Sequence, residues 1–223
     1  MGIVCPASLI AAALLLPVSL YLTSRCKQQN KRSRIPFFLG FGSVCLVILC
    51  YVLYFMISVK LYSQSENRMA ELPAFTVTSE NLHDGVWDDV IGRDKGENKS
   101  PQLSWEPVEG AEGYAILMID ETARNWMHWK TASVTETTLP TGFAGTDAYV
   151  GPYPPAGETH TYTIYVVALR QKKDGMSGTL DAPNDEPDHD LKRSLGSLDT
   201  VDSYAGNALA MGKISGTFTS DAK

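Results

Sequence analysis

Two imidazoles, one carboxylate and one phenol stand in this chain at spacings that can build a small polar site. His160 and Tyr162 close the run Gly151-Pro152-Tyr153-Pro154-Pro155-Ala156-Gly157-Glu158-Thr159-His160-Thr161-Tyr162. On a strand, side chains two apart share a face, so the imidazole and the phenol point the same way. Three of the four residues 152–155 are proline; they fix φ and stiffen the approach to that strand. Gly157 lets the chain turn. A second run, Asp120-Glu121-Thr122-Ala123-Arg124-Asn125-Trp126-Met127-His128-Trp129, places Asp120 at the end of one apolar segment and His128 at the start of the next. Side chains at strand ends can meet solvent and ligand. Asp120, His128 and His160 converging there, with Tyr162 and Trp129 around them, would make a small pocket with an apolar lining. Such a pocket suits an anion. Imidazoles donate hydrogen bonds and titrate near neutral pH, and charge-assisted bonds to phosphate are strong. Asp120 would orient an imidazole. Spacing alone leaves open that the two histidines are unrelated structural residues.

The elements that must position these groups are short strands. Phe75–Ser79 alternates. Tyr114–Ile119 is a continuous apolar run, which predicts a strand buried on both faces. Met127–Val134, the β-branched and aromatic Thr161–Leu169, and Lys213–Phe218 complete the set, with Gly-Pro clusters between them. Leu191, Leu195 and Leu198 predict a helix over Asp188–Leu198, and a second short helix is expected over Ser203–Met211. The predicted domain is therefore antiparallel β with small helices near the C-terminus. Asp181–Asp190 is an acidic stretch with two prolines. A metal site is conceivable there, and a solvated loop is the plainer reading. Asp88 and Asp89 are expected on an exposed strand edge.

Charge divides the chain sharply. Residues 1–63 carry six Lys/Arg and no Asp or Glu, whereas residues 64–223 carry thirteen Lys/Arg against twenty-five Asp/Glu, a net −12. An acidic domain of this kind is no nucleic-acid binder, because phosphate backbones need a basic face. All four cysteines (Cys5, Cys26, Cys45 and Cys50) lie in the first part, so the large domain is not a disulfide scaffold. Residues 3–22 and 36–59 are free of charge, and a helix needs roughly 20 apolar residues to cross about 30 Å of hydrocarbon. Residues 25–34 between them hold five cations, and cations of short loops stay on the cytoplasmic side. The expectation is a two-span hairpin over residues 1–63, a polar tether over 64–73, and an extracytoplasmic domain over 74–220. A cleaved signal peptide over the first segment is the alternative, weakened by the lack of a basic n-region.

Four ordered motifs also carry a resemblance. Asn98-Lys99-Ser100-Pro101-Gln102-Leu103-Ser104-Trp105, the loop led by Asp120, the pair His128-Trp129 and the run 151–162 together resemble the phosphatidylethanolamine-binding protein family. They are most similar to its bacterial branch, often labelled Raf-kinase-inhibitor-like, as is the ending Ala205–Phe218. The resemblance covers residues 74–220. It implies a mainly β fold, an antiparallel sandwich of a large sheet on a smaller one with short C-terminal helices, here preceded by the two expected transmembrane helices. It also implies a pocket for phosphate-like groups and phospholipid headgroups. In that pocket Asp120 matches the first Asp of a D-P-D-A-P loop, His128 the His before Trp, Pro154 and Pro155 the proline pair, and His160 and Tyr162 the ends of H-R-Y. This chain departs from the pattern at Glu121, Thr122 and Arg124, which removes both prolines and the second Asp. That leaves a softer loop expected, with Arg124 near the pocket rim. Thr161 replaces the Arg of H-R-Y and removes an internal salt bridge. The Asn98-Lys99-Ser100 sequon falls inside a motif and is read as structural.

Three functions follow for comparison. The leading one is a membrane-anchored module that binds a small anionic ligand, a phosphorylated metabolite or lipid headgroup, without metal or cofactor. A second is a phosphoester hydrolase with Asp120 and His128 as a base pair, against which stand the lack of G-x-S-x-G, zinc-spaced ligands, a phosphate loop and any cysteine in the domain. A third is an inhibitor of an extracellular protease or another protein partner, by analogy with the family.

Overall fold

A computed structural model describes residues 21, 24–25, 35–184, 191–202 and 204–221. The chain divides into two compact units, 1–61 and 62–223. The apolar segment 36–59 lies within one helix, Ile35–Glu71 (α1). Val44, Ile48, Leu49, Leu53, Phe55 and Met56 of this helix are all exposed. Among the described residues no helix is long and apolar enough to cross a membrane, so the expected two-span hairpin does not emerge from them. The first apolar segment and most of the basic loop lie outside the described residues. The polar stretch read as a tether is helical as far as Glu71. Leu72 ends the helix because the residue before a proline is pushed out of the α region.

Among its described residues the second unit holds twelve strands. Ala74–Phe75 (β1), Val77–Thr78 (β2), Leu82–His83 (β3) and Val86–Trp87 (β4) are two-residue pieces, so the alternating run Phe75–Ser79 is split between two strands. Asp88 and Asp89 are not on a strand edge: Asp89–Ile91 forms a 3-10 turn preceded by Asp88, whose carboxylate accepts from Asn81 Nδ2. Leu103–Trp105 (β5), Gly113–Asp120 (β6), Trp126–Val134 (β7), Thr138–Leu139 (β8) and Thr159–Leu169 (β9) follow. The helix Leu191–Asp199 (α2) is where the leucine spacing places it, and Thr200–Val201 (β10) and Tyr204–Ala205 (β11) make a small hairpin. Ala208–Thr219 (β12) closes the chain's run of strands. The second helix expected over Ser203–Met211 is not seen among the described residues, where 204–205 and 208–211 are strand. Its Ala and Met residues favour helix locally, but β12 pairs with β9 from Ala208 to Thr219, and that ladder overrides propensity.

The large sheet has the order β3-β4-β12-β9-β6-β7, with β1 paired in parallel to β12; β2, β5 and β8 form the small sheet. Every residue of β6 is buried. Strand alternation sends Tyr114, Ile116 and Met118 to a core shared with Leu103, Trp105 and Leu139 of the small sheet. Ala115, Leu117 and Ile119 go to a second core with Leu195 and Leu198 of α2. Each such Ile or Leu contributes roughly 1.5–3 kcal/mol by leaving water. Two layers thus clamp β6 and fix where its C-terminal end, Asp120, emerges.

Candidate functional site

Strands β7, β6 and β9 are neighbours in the large sheet, and their ends deliver the candidate groups to one cavity. Asp120 ends β6 and pairs in register with Tyr162 of β9. His160 lies two residues from Tyr162 on β9, on the same face. His128 comes from β7 through an irregularity. Met118 pairs with Trp129 and Ile119 with Met127, so His128 is the extra residue of a β-bulge. Bulges re-aim side chains. Here consecutive residues take the same side, Trp129 in the core and His128 at the cavity.

The cavity measures about 240 Å³ and is lined by Asp120, His128, His160 and Tyr162, by the wall Tyr153-Pro154-Pro155, and by Ala123 and Trp126. Asp120, His128, Pro154, Pro155, His160 and Tyr162 therefore meet at one concavity, whereas Trp129, also expected around it, packs in the core. A second cavity of about 270 Å³, with Phe218 and Lys95 among its lining, shares the Tyr153–Pro154 wall.

His160 Nδ1–H donates to Asp120 Oδ2 at 2.6 Å. The other carboxylate oxygen of Asp120 accepts from the backbone N–H of Thr122 at 2.9 Å and of Ala123 at 3.0 Å. Trp126 N–H donates to Ala123 O, and Thr161 N–H to Thr122 Oγ1. These hydrogen bonds tie down the loop that lacks the expected prolines. Asp120 is bonded to His160 and not to His128, so the base pair considered for a hydrolase does not form.

His128 is 2% exposed. Its Nδ1–H donates to Val150 O at 2.7 Å, which leaves Nε2 with its lone pair in the neutral ring. Burial holds the His128 pKa below its ordinary value, against the opposing pull of the Val150 carbonyl and the Asp120 charge. Edge contacts with Tyr162 and Tyr153, at centroid distances of 5.2 and 5.6 Å, fix the ring plane. The Tyr162 hydroxyl is buried without a hydrogen-bond partner among the described residues. Burial, then the charge of Asp120 and the proximity of the hydroxyl to that carboxylate, too poorly aligned for a full hydrogen bond, raise its pKa far above the phenol range. A buried, unpartnered hydroxyl on the wall of a cavity is a donor for whatever fills that cavity.

The rim holds residues that the sequence reading missed. Tyr153 O–H and Trp126 Nε1–H both donate to Asp181 Oδ1, and the Arg93 guanidinium lies 3.4 Å above the Tyr153 ring. Burial opposes ionisation of Asp181, but these donors and the Arg93 charge win and hold its pKa below the usual value. Tyr153 is pushed up to about 12 by burial and by Asp181. Asp181 is exposed in its loop, as the solvated reading has it, and it also holds two residues of the cavity lining, Tyr153 and Trp126; residues 185–190 of the acidic stretch lie outside the described residues. Among the described residues no group of His, Cys, Asp and Glu could hold a metal. Arg124 is exposed and does not line the cavity.

The first motif supports the third. Asn98 Oδ1 accepts from Gly151 N–H at 2.7 Å, and the buried Ser100 Oγ accepts from Ala144 N–H. A Cβ on Gly151 would come within 2.1 Å of Ile91 O, so only glycine fits where the proline wall begins.

Residues 63–219 match the family described as phosphatidylethanolamine-binding protein. The chain is 30% identical to UPF0098 protein YbhB of Escherichia coli (strain K12), over 38% of this chain and 71% of that protein. Among solved structures it is similar to Escherichia coli YbcL, described as a new member of the mammalian PEBP family, at 21% identity over 67% of this chain and 99% of that one, with a TM-score of 0.49. It is also similar to CT736 of Chlamydia trachomatis D/UW-3/CX, at 20% identity over 65% and 96%, with a TM-score of 0.46.

Proposed function

Because the chain belongs to the phosphatidylethanolamine-binding protein family, we propose that its second unit is a ligand-binding module for a small anion, a phosphate or a phosphorylated headgroup. The observation that carries this reading is the oriented His160, held by Asp120, beside the unpartnered hydroxyl of Tyr162 in a cavity walled by prolines. Tyr162 supplies a donor, and His160 supplies a second from Nε2 in its doubly protonated form, its Nδ1–H being on Asp120. Neutral His128 offers a lone pair and accepts either a proton or a ligand hydroxyl as the anion enters. The mostly apolar wall of rings lowers the local dielectric, which strengthens each charge-assisted bond. Asp120 is taken up by His160, Thr122 and Ala123 and makes no base pair with His128, so binding without turnover is the reading favoured over hydrolysis. Calorimetric titration of the full-length chain in detergent with inorganic phosphate tests this. Saturable binding that His160→Ala abolishes, with the fold intact by circular dichroism, is expected; equal affinity in the variant rejects it.

We further propose that this module is held at a membrane, on the extracytoplasmic side. A helix apolar on all sides must be buried in a core or in lipid, and residues 44–59 expose large apolar side chains around α1. The cations of residues 25–34 favour a cytoplasmic position for that loop. Protease accessibility of the domain in intact cells tests the topology. Complete protection that persists after the outer barrier is opened would reject it.

A further inference from the structure

Beside the cavity stands one carboxylate that an anion site does not need. Glu158 immediately precedes β9, two residues before His160, and the two side chains meet. Glu158 Oε2 lies 3.4 Å from His160 Nε2, while Asp120 Oδ2 lies 2.6 Å from Nδ1. Each nitrogen of the His160 ring therefore already faces a carboxylate. The ring nitrogen left to meet a ligand is Nε2, and Glu158 stands where a ligand oxygen would arrive.

The backbone beneath Glu158 is fixed. Its N–H donates to Pro155 O, its carbonyl accepts from Ser220 N–H, and Ser220 Oγ accepts from Gly157 N–H. The tip is not fixed: the side chain is 61% exposed. An entering anion can displace it, but the negative charge remains nearby. Asp120 and Asp181 add to that field. Arg93, a cation on the rim, is already paired with Asp94.

We infer that Glu158 is a specificity-determining residue of this site, selecting singly charged phosphodiesters over doubly charged phosphomonoesters. This inference rests on the anion-binding reading above. At a fixed distance the repulsion from Glu158 is twice as large for a dianion as for a monoanion. Removing the Glu158 charge must then improve the two affinities unequally, the larger gain being the square of the smaller.

Methyl phosphate and dimethyl phosphate isolate the charge, since they differ by one methyl group. Calorimetric titration of full-length wild type and Glu158→Gln with both, at pH 7.5, reads the effect. Wild type is expected to prefer dimethyl phosphate. Glu158→Gln is expected to gain about threefold on dimethyl phosphate and about tenfold on methyl phosphate, a scale set by partly exposed charge pairs. Equal gains on the two probes, or no gain, in proteins that do bind would overturn the inference and leave the anion reading standing. Absence of binding of either probe to either protein would remove the anion reading and this inference with it.

Discussion

His160 lies diagonally across from Asp120, two residues from Tyr162, the register partner of that carboxylate, and its Nδ1 is 2.6 Å from Asp120 Oδ2. Diagonal neighbours in an antiparallel pair are within reach of long or aromatic side chains. The carboxylate thus does two things. One oxygen orients the imidazole, and the other folds the 120–126 loop over the cavity.

Separating those two roles requires two substitutions. Asp120→Asn keeps a carbonyl oxygen for Thr122 and Ala123 but loses the charge. It is expected to fold with near-wild-type stability and to lose anion affinity about tenfold or more, the scale of one charge-assisted bond. Asp120→Ala removes both and is expected to cost about 2–3 kcal/mol in urea unfolding as well. Equal stabilities of the two variants would refute the division of labour.

Stability should depend on pH through His128. Its pKa in the folded domain is held below the unfolded value by burial, so the unfolded state takes up a proton first. The contribution is fully present above about pH 6.5 and is lost as pH falls through the lower, folded value. Asp181, also held low, adds a second decline at more acidic pH, by the same sign. In His128→Asn the amide can still donate to Val150 O, and the near-neutral part of the decline should vanish. Urea midpoints at pH 7.5, 6 and 5 compare the two; identical slopes would exclude His128 as the source.

Gly151→Ala should disturb binding from outside the cavity. The added methyl meets Ile91 O and Arg93 N and forces the Pro152–Pro155 wall to move. A loss of about 2–3 kcal/mol is expected from overpacking, together with weakened phosphate binding, measured by thermal melts and calorimetry. Unaltered affinity would show that the wall does not depend on this close approach.

An ion pair joins the end of α1 to the domain. Arg68 Nε lies 3.2 Å from Asp199 Oδ2, with Asp199 fully buried and Arg68 partly exposed. Asp199 Oδ1 also accepts from Gly206 and Ala208 N–H. Asp199→Ala is therefore expected to cost about 3–5 kcal/mol, since it strands buried donors, and Arg68→Ala clearly less. Chemical denaturation of both variants checks the order.

Much of the domain is legible in the sequence itself. The run Tyr114–Ile119 has no polar residue to face water, and it is the strand clamped between two cores. The prolines and the alternation of His160 and Tyr162 likewise place one side of the cavity. The features that stay hidden are non-local. The bulge that turns His128 inward depends on a register shift against β6, which no window of sequence displays. Asp181 reaches the rim only because Ala182 O accepts from Met127 N–H and Met127 O accepts from Asp181 N–H across a loop. Arg93 joins Tyr153 through a fold contact. Residues 208–211 read as helix because local propensity ignores a ladder with β9, a partner far upstream in the chain.

His128 and His160 serving one anion in one cavity is the relationship on which the binding reading rests. Nitrogen-15 NMR of the histidine-labelled full-length chain, titrated with inorganic phosphate, observes both rings at once. The Nε2 resonances of the two are expected to shift together, with a single shared dissociation constant. Rings that stay unmoved at saturating phosphate, or that respond with different constants, would rule out a shared anion.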